Sequence, residues 1–207
     1  MISVYELKPK FQGLLRPLVN WLAKVGVTAN QVTVFALLLS IASTGFAFSL
    51  SLINGFSPVH LLILPLVWLV RMALNAIDGM LAREHHQKSA LGCFLNEACD
   101  VAADAVLFIP FLLIPGVSIP LALTVLFLFL MTEVFGLIAP QIGASRRYDG
   151  PMGKSDRALY LSIFILSLVI YPAGAPLTNL MFTVFGLLAV VTMIQRTRKA
   201  IKEVQHA

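Results

Sequence analysis

Asn75-Ala76-Ile77-Asp78-Gly79-Met80-Leu81-Ala82-Arg83, then eight residues, then Gly92-Cys93-Phe94-Leu95-Asn96-Glu97-Ala98-Cys99-Asp100-Val101-Ala102-Ala103-Asp104, is the stretch whose reading decides the fold. Its spelled-out residues hold four of the chain's ten carboxylates, Asp78, Glu97, Asp100 and Asp104, inside sequence apolar enough to span a bilayer. An ionisable side chain at membrane depth costs a few kcal/mol, so such residues mark functional sites by default. Here the polar residues also keep helical spacing. Asn75 and Asp78 are three apart, and Asn96, Asp100 and Asp104 follow at intervals of four, so each set lines one face of its own helix. Two such faces on adjacent helices, joined by a short basic turn, can converge on one cation.

Working outward, 58% of the 207 residues are hydrophobic and 12% charged, which excludes an ordinary soluble domain. Apolar runs of about 20 residues recur along the chain. The expected fold class is an all-α integral membrane protein, one domain over 1–207, with six transmembrane helices near 31–53, 59–84, 91–115, 119–142, 156–173 and 176–197. Asn54-Gly55, Pro58, Pro115-Gly116, Gly150-Pro151 and Pro172 to Pro176 supply the breaks. The first 30 residues are too polar for a cleavable signal peptide, so the first span is expected to be an uncleaved anchor. Cys93 and Cys99 have neither disulfide nor zinc spacing and read as small buried residues.

Residues 4–25 carry Leu7, Phe11, Leu14, Leu18, Leu22 and Val25 on one stripe and Lys8, Gln12, Arg16, Asn20 and Lys24 on another. The pattern predicts an amphipathic interfacial helix with its basic side toward anionic headgroups. Pro17 is expected to kink or split it. Of 15 Lys and Arg, 14 fall before the first span, between spans two and three, between four and five, or after the sixth. The positive-inside rule then puts both termini and the basic tail to 207 in the cytoplasm. Topology and anionic lipid thus account for the net charge of +5 without nucleic acid. The fifteenth, Arg71, shares a face with Asn75 and Asp78. Glu133 in the fourth span is its expected partner, in a structural pair joining two helices; a substrate-phosphate ligand is the alternative.

Asp78 lies five residues from Arg83, and Asn96 five past Leu91. Both therefore sit about 8 Å below the same surface, with Asp100 and Asp104 one and two turns deeper. Oxygen-only ligands suit Mg²⁺ or Mn²⁺ over zinc. Gly79 and Ala82 are small either for helix packing or for close approach of a bulky ligand. A proton- or ion-coupled transporter using Asp78, Asp100, Asp104, Arg71 and Glu133 is a second reading. The absence of an internal repeat and the shallow position of the polar cluster favour an enzyme.

At these residues the chain resembles the CDP-alcohol phosphotransferases, whose signature reads D-x-x-D-G-x-x-A-R-x8-G-x3-D-x3-D. Every spacing is kept from Asn75 to Asp100. Thr28-Ala29-Asn30-Gln31-Val32-Thr33 is similar to the T-P-N-x-x-T element that opens the first span in many of them, with Ala for Pro. Asn75 and Asn96 stand where the family has its first and third aspartates, while Asp78 and Asp100 match the second and fourth. The resemblance implies a metal site of Asp78 and Asp100 with Asn75, Asn96 and Asp104, and Asp100 as general base. It also implies a CDP-donor site at Asn30, Thr33, Gly79, Ala82, Arg83 and Gly92. Two divalent cations are usual in the family. Two lost charges imply that the second binds weakly, that Asp104 and substrate diphosphate compensate, or that the chain is catalytically silent.

The implied reaction moves a phosphatidyl group from a CDP-linked lipid, foremost CDP-diacylglycerol, to an alcohol, and releases CMP. The loop Ser145–Arg157, with Arg146, Arg147, Lys154 and Arg157, is the expected acceptor or phosphate site, with Ser155 and Asp156 as the cap of the fifth helix. That suits a small alcohol that itself carries phosphate. A homodimer in a bacterial inner membrane, with its site on the cytoplasmic side, is expected by analogy. His85 and His86 are assigned no role.

Overall fold

The computed structural model describes residues 4–171 and 175–206, with side chains from Phe11 onward. The expected turn at Pro172 and the stripe positions Leu7 and Lys8 lie outside these descriptions. Seven α-helices follow one another: α1 Val4–Lys24, α2 Ala29–Asn54, α3 Ile63–Glu84, α4 Ala90–Phe108, α5 Ile119–Ile138, α6 Lys154–Ile170 and α7 Ala175–Gln205. Short 3-10 segments precede α3 (Pro58–Leu62) and follow α4 (Ile109–Leu113) and α5 (Ala139–Ile142), each with a proline in its first turn. The described residues contain no strand.

Four helical stretches are long and apolar enough to cross a membrane: Ala29–Asn54, Pro58–Glu84, Ile119–Ile142 and Pro176–Gln205. α4 has 19 residues but carries Glu97, Asp100 and Asp104, and α6 has only 17 residues. Neither meets that standard by composition and length. Large apolar side chains such as Phe35, Leu38, Leu66, Leu69, Phe127 and Leu187 are more than half exposed, as a surface solvated by lipid requires.

The chain forms two compact units, one of Met1–Ser43 with Leu66–Val106, the other of Thr44–Pro65 with Leu107–Ala207. In the first unit, Val19 of α1, Ala29 and Val32 of α2, and Ile77, Met80 and Leu81 of α3 make a buried cluster. α1 runs unbroken through Pro17. Leu15, Val19 and Leu22 pack into that cluster, while Arg16 grips Glu84 with two hydrogen bonds (3.1 and 3.0 Å) and Asn20 meets His85 (3.1 Å). These contacts hold the helix where proline removes one backbone bond. The polar stripe therefore meets protein at Arg16 and Asn20. Leu14, Leu18, Trp21 and Val25, spaced along one face, stay exposed.

The second unit is built on Phe108, Phe111, Phe129, Phe164 and Phe182, whose ring centroids lie 5.4–6.3 Å apart. The segment before α6 lies along one face of α7. Thr192 Oγ1 accepts the Met152 N–H, Arg196 and Lys199 donate to the carbonyl and carboxylate of Asp149, and Glu203 accepts from the Ser145 hydroxyl. Gly150, at φ +106°, is close enough that a Cβ would sit 2.8 Å from Thr192 Cα. Burial alone would push the Asp149 carboxyl up, yet the Lys199 ammonium at 2.5 Å and nearby Arg147 bring it net below the ordinary carboxylate range.

Candidate functional site

The site begins at the start of α2. Thr28 and Gln31 cap each other reciprocally: Thr28 Oγ1 accepts from the Gln31 N–H (3.3 Å) and Gln31 Oε1 from the Thr28 N–H (2.9 Å). Gln87, in the turn between α3 and α4, accepts a third orphan donor, the Ala29 N–H, at 2.7 Å. One helix start is thus anchored to the turn that joins the two site helices. The sequence reading missed Gln87, which carries no charge and no motif spacing.

From this anchored start Thr33, one turn along, donates from Oγ1 to Asp78 Oδ2 of α3 at 2.8 Å, with both residues buried. Thr33 is thereby the partner of a site carboxylate. At the other end of the motif, α4 opens on Ser89, whose hydroxyl accepts the Gly92 N–H (2.9 Å). A Cβ on Gly92 would sit 2.7 Å from Asn30 Oδ1, so glycine here permits the approach of α2. Gly92→Ala should push aside the Asn30 side-chain amide with little change in unfolding temperature in detergent, because the displaced atom ends a side chain and Ala is the better helix former by about 1 kcal/mol. On α3 the Arg83 guanidinium folds over Gly79, 3.1 Å from where a Cβ would stand. Ala82 packs beside the α1–α2–α3 cluster.

Deeper in the same unit the two polar faces meet. Asn75 Nδ2 donates to Asp100 Oδ1 at 3.1 Å. Arg71 donates to Asp104 Oδ1 (3.0 Å) from one nitrogen and to Asp100 Oδ1 (3.4 Å) from the other. A four-residue step along α3 thus matches a four-residue step back along α4, the register of antiparallel neighbours. Continued one turn toward Glu84, the same register pairs Gly79, next to Asp78, with Asn96. A carboxylate only accepts, so the Asn75 amide must present nitrogen to Asp100 and turn its carbonyl oxygen elsewhere.

Arg71 therefore takes its carboxylates from α4. The expected partner, Glu133 of α5, takes its cations from α6 and α7: Arg157 at 3.0 Å and Arg196 at 3.8 Å. Helical spacing shows which residues share a face but not which neighbour that face meets, so the Arg71–Glu133 pairing is corrected here.

The acceptor-loop residues are placed separately, in the second unit. Arg157 is buried, donating to Thr132 Oγ1 (2.7 Å), the Met152 carbonyl (3.2 Å) and Glu133 (3.0 Å). Arg147 pairs with Glu203 and, at 3.7 Å, with Asp149. Arg146 lies over the Tyr148 ring at 4.8 Å. Lys154 is the first residue of α6, whose cap is Gly153 and not the expected Ser155–Asp156. Asp156 accepts the Gly153 N–H at 3.2 Å from the first turn.

Among the described residues, no three acidic, His or Cys side chains group closely enough to hold an ion by themselves. Amide oxygens of Asn75 and Asn96 would have to complete any site. The remaining donor set is all oxygen, with Asp78 and Asp100 on facing helices. In number and hardness it fits one Mg²⁺- or Mn²⁺-like ion.

Fold and polar cluster together define a helical integral membrane protein with acids set between facing helices of its first unit. The chain matches the CDP-alcohol phosphatidyltransferase family model over residues 26–195, and it belongs to that family. It is 43% identical over 200 residues to the inner membrane protein YnbA of Escherichia coli, covering 97% of both chains. It is 30% identical over 101 residues to the archaetidylinositol phosphate synthase of Pyrococcus horikoshii, 48% of each. Its fold is similar to that of a phosphatidylinositol phosphate synthase from Mycobacterium tuberculosis with CDP-DAG bound. The TM-score is 0.69 at 22% identity, over 89% of this chain and 92% of that one. The manganese and citrate complex of that synthase gives a TM-score of 0.68 at 20% identity, over 89% and 87% of the two chains.

Proposed function

We propose that this family member transfers a phosphatidyl group from CDP-diacylglycerol to an alcohol acceptor and releases CMP. The observation that carries the proposal is the chain of contacts from Arg71 and Asn75 to Asp100 and Asp104, which sets the polar faces of α3 and α4 against each other. The complexes of the M. tuberculosis synthase with CDP-DAG and with manganese support the donor and the metal.

Asp78 and Asp100, with amide oxygens from Asn75 and Asn96, would hold a Mg²⁺ or Mn²⁺ ion. When bound, that ion would neutralise charge on the donor diphosphate and on departing CMP. Thr33 fixes the orientation of Asp78. Asn30, Gly79, Ala82, Arg83 and Gly92 line the donor side; Gly92 admits Asn30, and Arg83 brings a cation to the cytoplasmic end of α3. Asp100 takes the proton from the acceptor hydroxyl as its oxygen attacks the lipid-side phosphorus. The new P–O bond replaces the bond to CMP, so the lipid product stays in the membrane. The acceptor, a small alcohol bearing phosphate, is read by Arg146 and Lys154; Arg147 and Arg157 act chiefly through their carboxylate partners. Six crossings, an interfacial α1, cytoplasmic termini, a bacterial inner-membrane location and a homodimer complete the proposal. The kinship with YnbA supports the location.

The test supplies purified protein with labelled CDP-diacylglycerol, Mg²⁺ or Mn²⁺ and a panel of free and phosphorylated alcohols, and measures CMP. Metal- and acceptor-dependent CMP supports the transferase. No CMP with any acceptor would favour a silent member of the family. Thr33→Val, which removes the Asp78 partner, should weaken Mn²⁺ binding about 10- to 100-fold, as read by titration of the paramagnetic ion.

A further inference from the structure

Arg71 is the most consequential residue that the transfer chemistry does not use. It is 3% exposed, and its guanidinium bridges Asp100 and Asp104 while its Nε has no hydrogen-bond partner. A buried guanidinium is costly unless its charge is answered, and here the answer comes from two acids that the sequence reading had given to metal. Of the acids assigned to the site, three are carboxylates: Asp78, Asp100 and Asp104. One guanidinium against them leaves two negative charges, the charge of a single divalent ion.

We propose that Arg71 is the built-in second cation of this site, held against Asp100 and Asp104 where an ion would otherwise sit, so that each chain binds one Mg²⁺ or Mn²⁺ between Asp78 and Asp100. The inference rests on the proposed transferase reading for the first ion, but it concerns only the deep half of the cluster. Two features of the chain fit it. Asn75 lies one turn from Arg71 on the same face and gives Asp100 an amide N–H. A carboxylate there would have to share the same guanidinium. The fork also spans two carboxylates one helical turn apart, which the planar Arg group does and a Lys ammonium does poorly. Arg71 is accordingly a positioning residue, fixing the Asp100 carboxylate from its inner side.

The experiment counts Mn²⁺ by electron paramagnetic resonance on the full chain in detergent, beside CMP release in the same samples. Wild type should bind one Mn²⁺ per chain, and Asn75→Asp alone should still bind one, because Arg71 stays in place. Arg71→Met combined with Asn75→Asp should bind two. Arg71→Lys should keep a count of one with a lowered kcat. Two ions in wild type, or a second ion gained by Asn75→Asp alone, would overturn the proposal even if CMP release is normal. An inactive wild type that binds one ion would count against the transferase reading and leave the Arg71 assignment standing. If the double variant does not fold, the Asn75→Asp count decides alone.

Discussion

Asp100→Asn should lower CMP release from CDP-diacylglycerol by about a thousandfold, the scale on which a positioned general base contributes. Asparagine has nearly the shape of aspartate, so the α3–α4 contact through Asn75 and Arg71 can be kept largely intact while the proton acceptor is lost. Asp78→Asn is expected to fall as far for a different reason. Asp78 is buried, and Thr33 donates to one of its oxygens, so the change removes a negative charge from the metal site without opening a cavity. The two variants separate by metal dependence. Raising Mn²⁺ should recover part of the Asp78→Asn activity, because binding is what was weakened, and none of the Asp100→Asn activity. The measurement is CMP formation across a Mn²⁺ series, with size-exclusion profiles showing that both variants fold.

The second large effect lies in the other unit and concerns stability. Arg157→Ala should cost about 3–5 kcal/mol, the penalty for leaving a buried carboxylate without its close partner. Glu133 would keep Arg196, at 3.8 Å, and Thr132 Oγ1 and the Met152 carbonyl would lose the Arg157 donor. Thermal unfolding in detergent should show a drop of many degrees. Adding Glu133→Gln to the alanine variant should recover part of it, since the stranded charge is then gone. A variant of normal stability with a raised KM for a phosphorylated acceptor would instead give Arg157 to substrate binding.

The first unit was legible because its information is local. Spacings of three and four placed Asn75, Asp78, Asn96, Asp100 and Asp104 on faces, and a tight turn made those faces neighbours. Thr28 and Gln31 also form a reciprocal cap within the stretch quoted for its resemblance. What stayed hidden depends on contacts between residues far apart in sequence. Arg71 and Glu133 were matched as lone opposite charges. Arg71 instead meets Asp104 on the α4 face already set opposite its own, while Glu133 takes Arg157 from a helix whose packing no spacing reveals. Arg196 and Lys199 were counted only as basic charge at the end of the sixth span, and Thr192 and Glu203 were given no role. In the structure they form one face of α7 that holds the loop before α6. Their spacing of four, three and four was the available signal, masked by the charge that serves topology. Of the apolar stripe read along α1, Leu14, Leu18 and Val25 stay exposed while Leu22 packs inward, and the face that meets the cluster runs through Leu15, Val19 and Leu22.

The most direct test of the central claim is a crystal or cryo-cooled structure of the protein with Mn²⁺, using anomalous scattering to locate the ion. The account predicts a manganese peak in coordination range, about 2.2 Å, of carboxylate oxygens from both Asp78 and Asp100, with the Arg71 guanidinium still against Asp104. A peak that touches neither of those carboxylates, or only one of them, would contradict it.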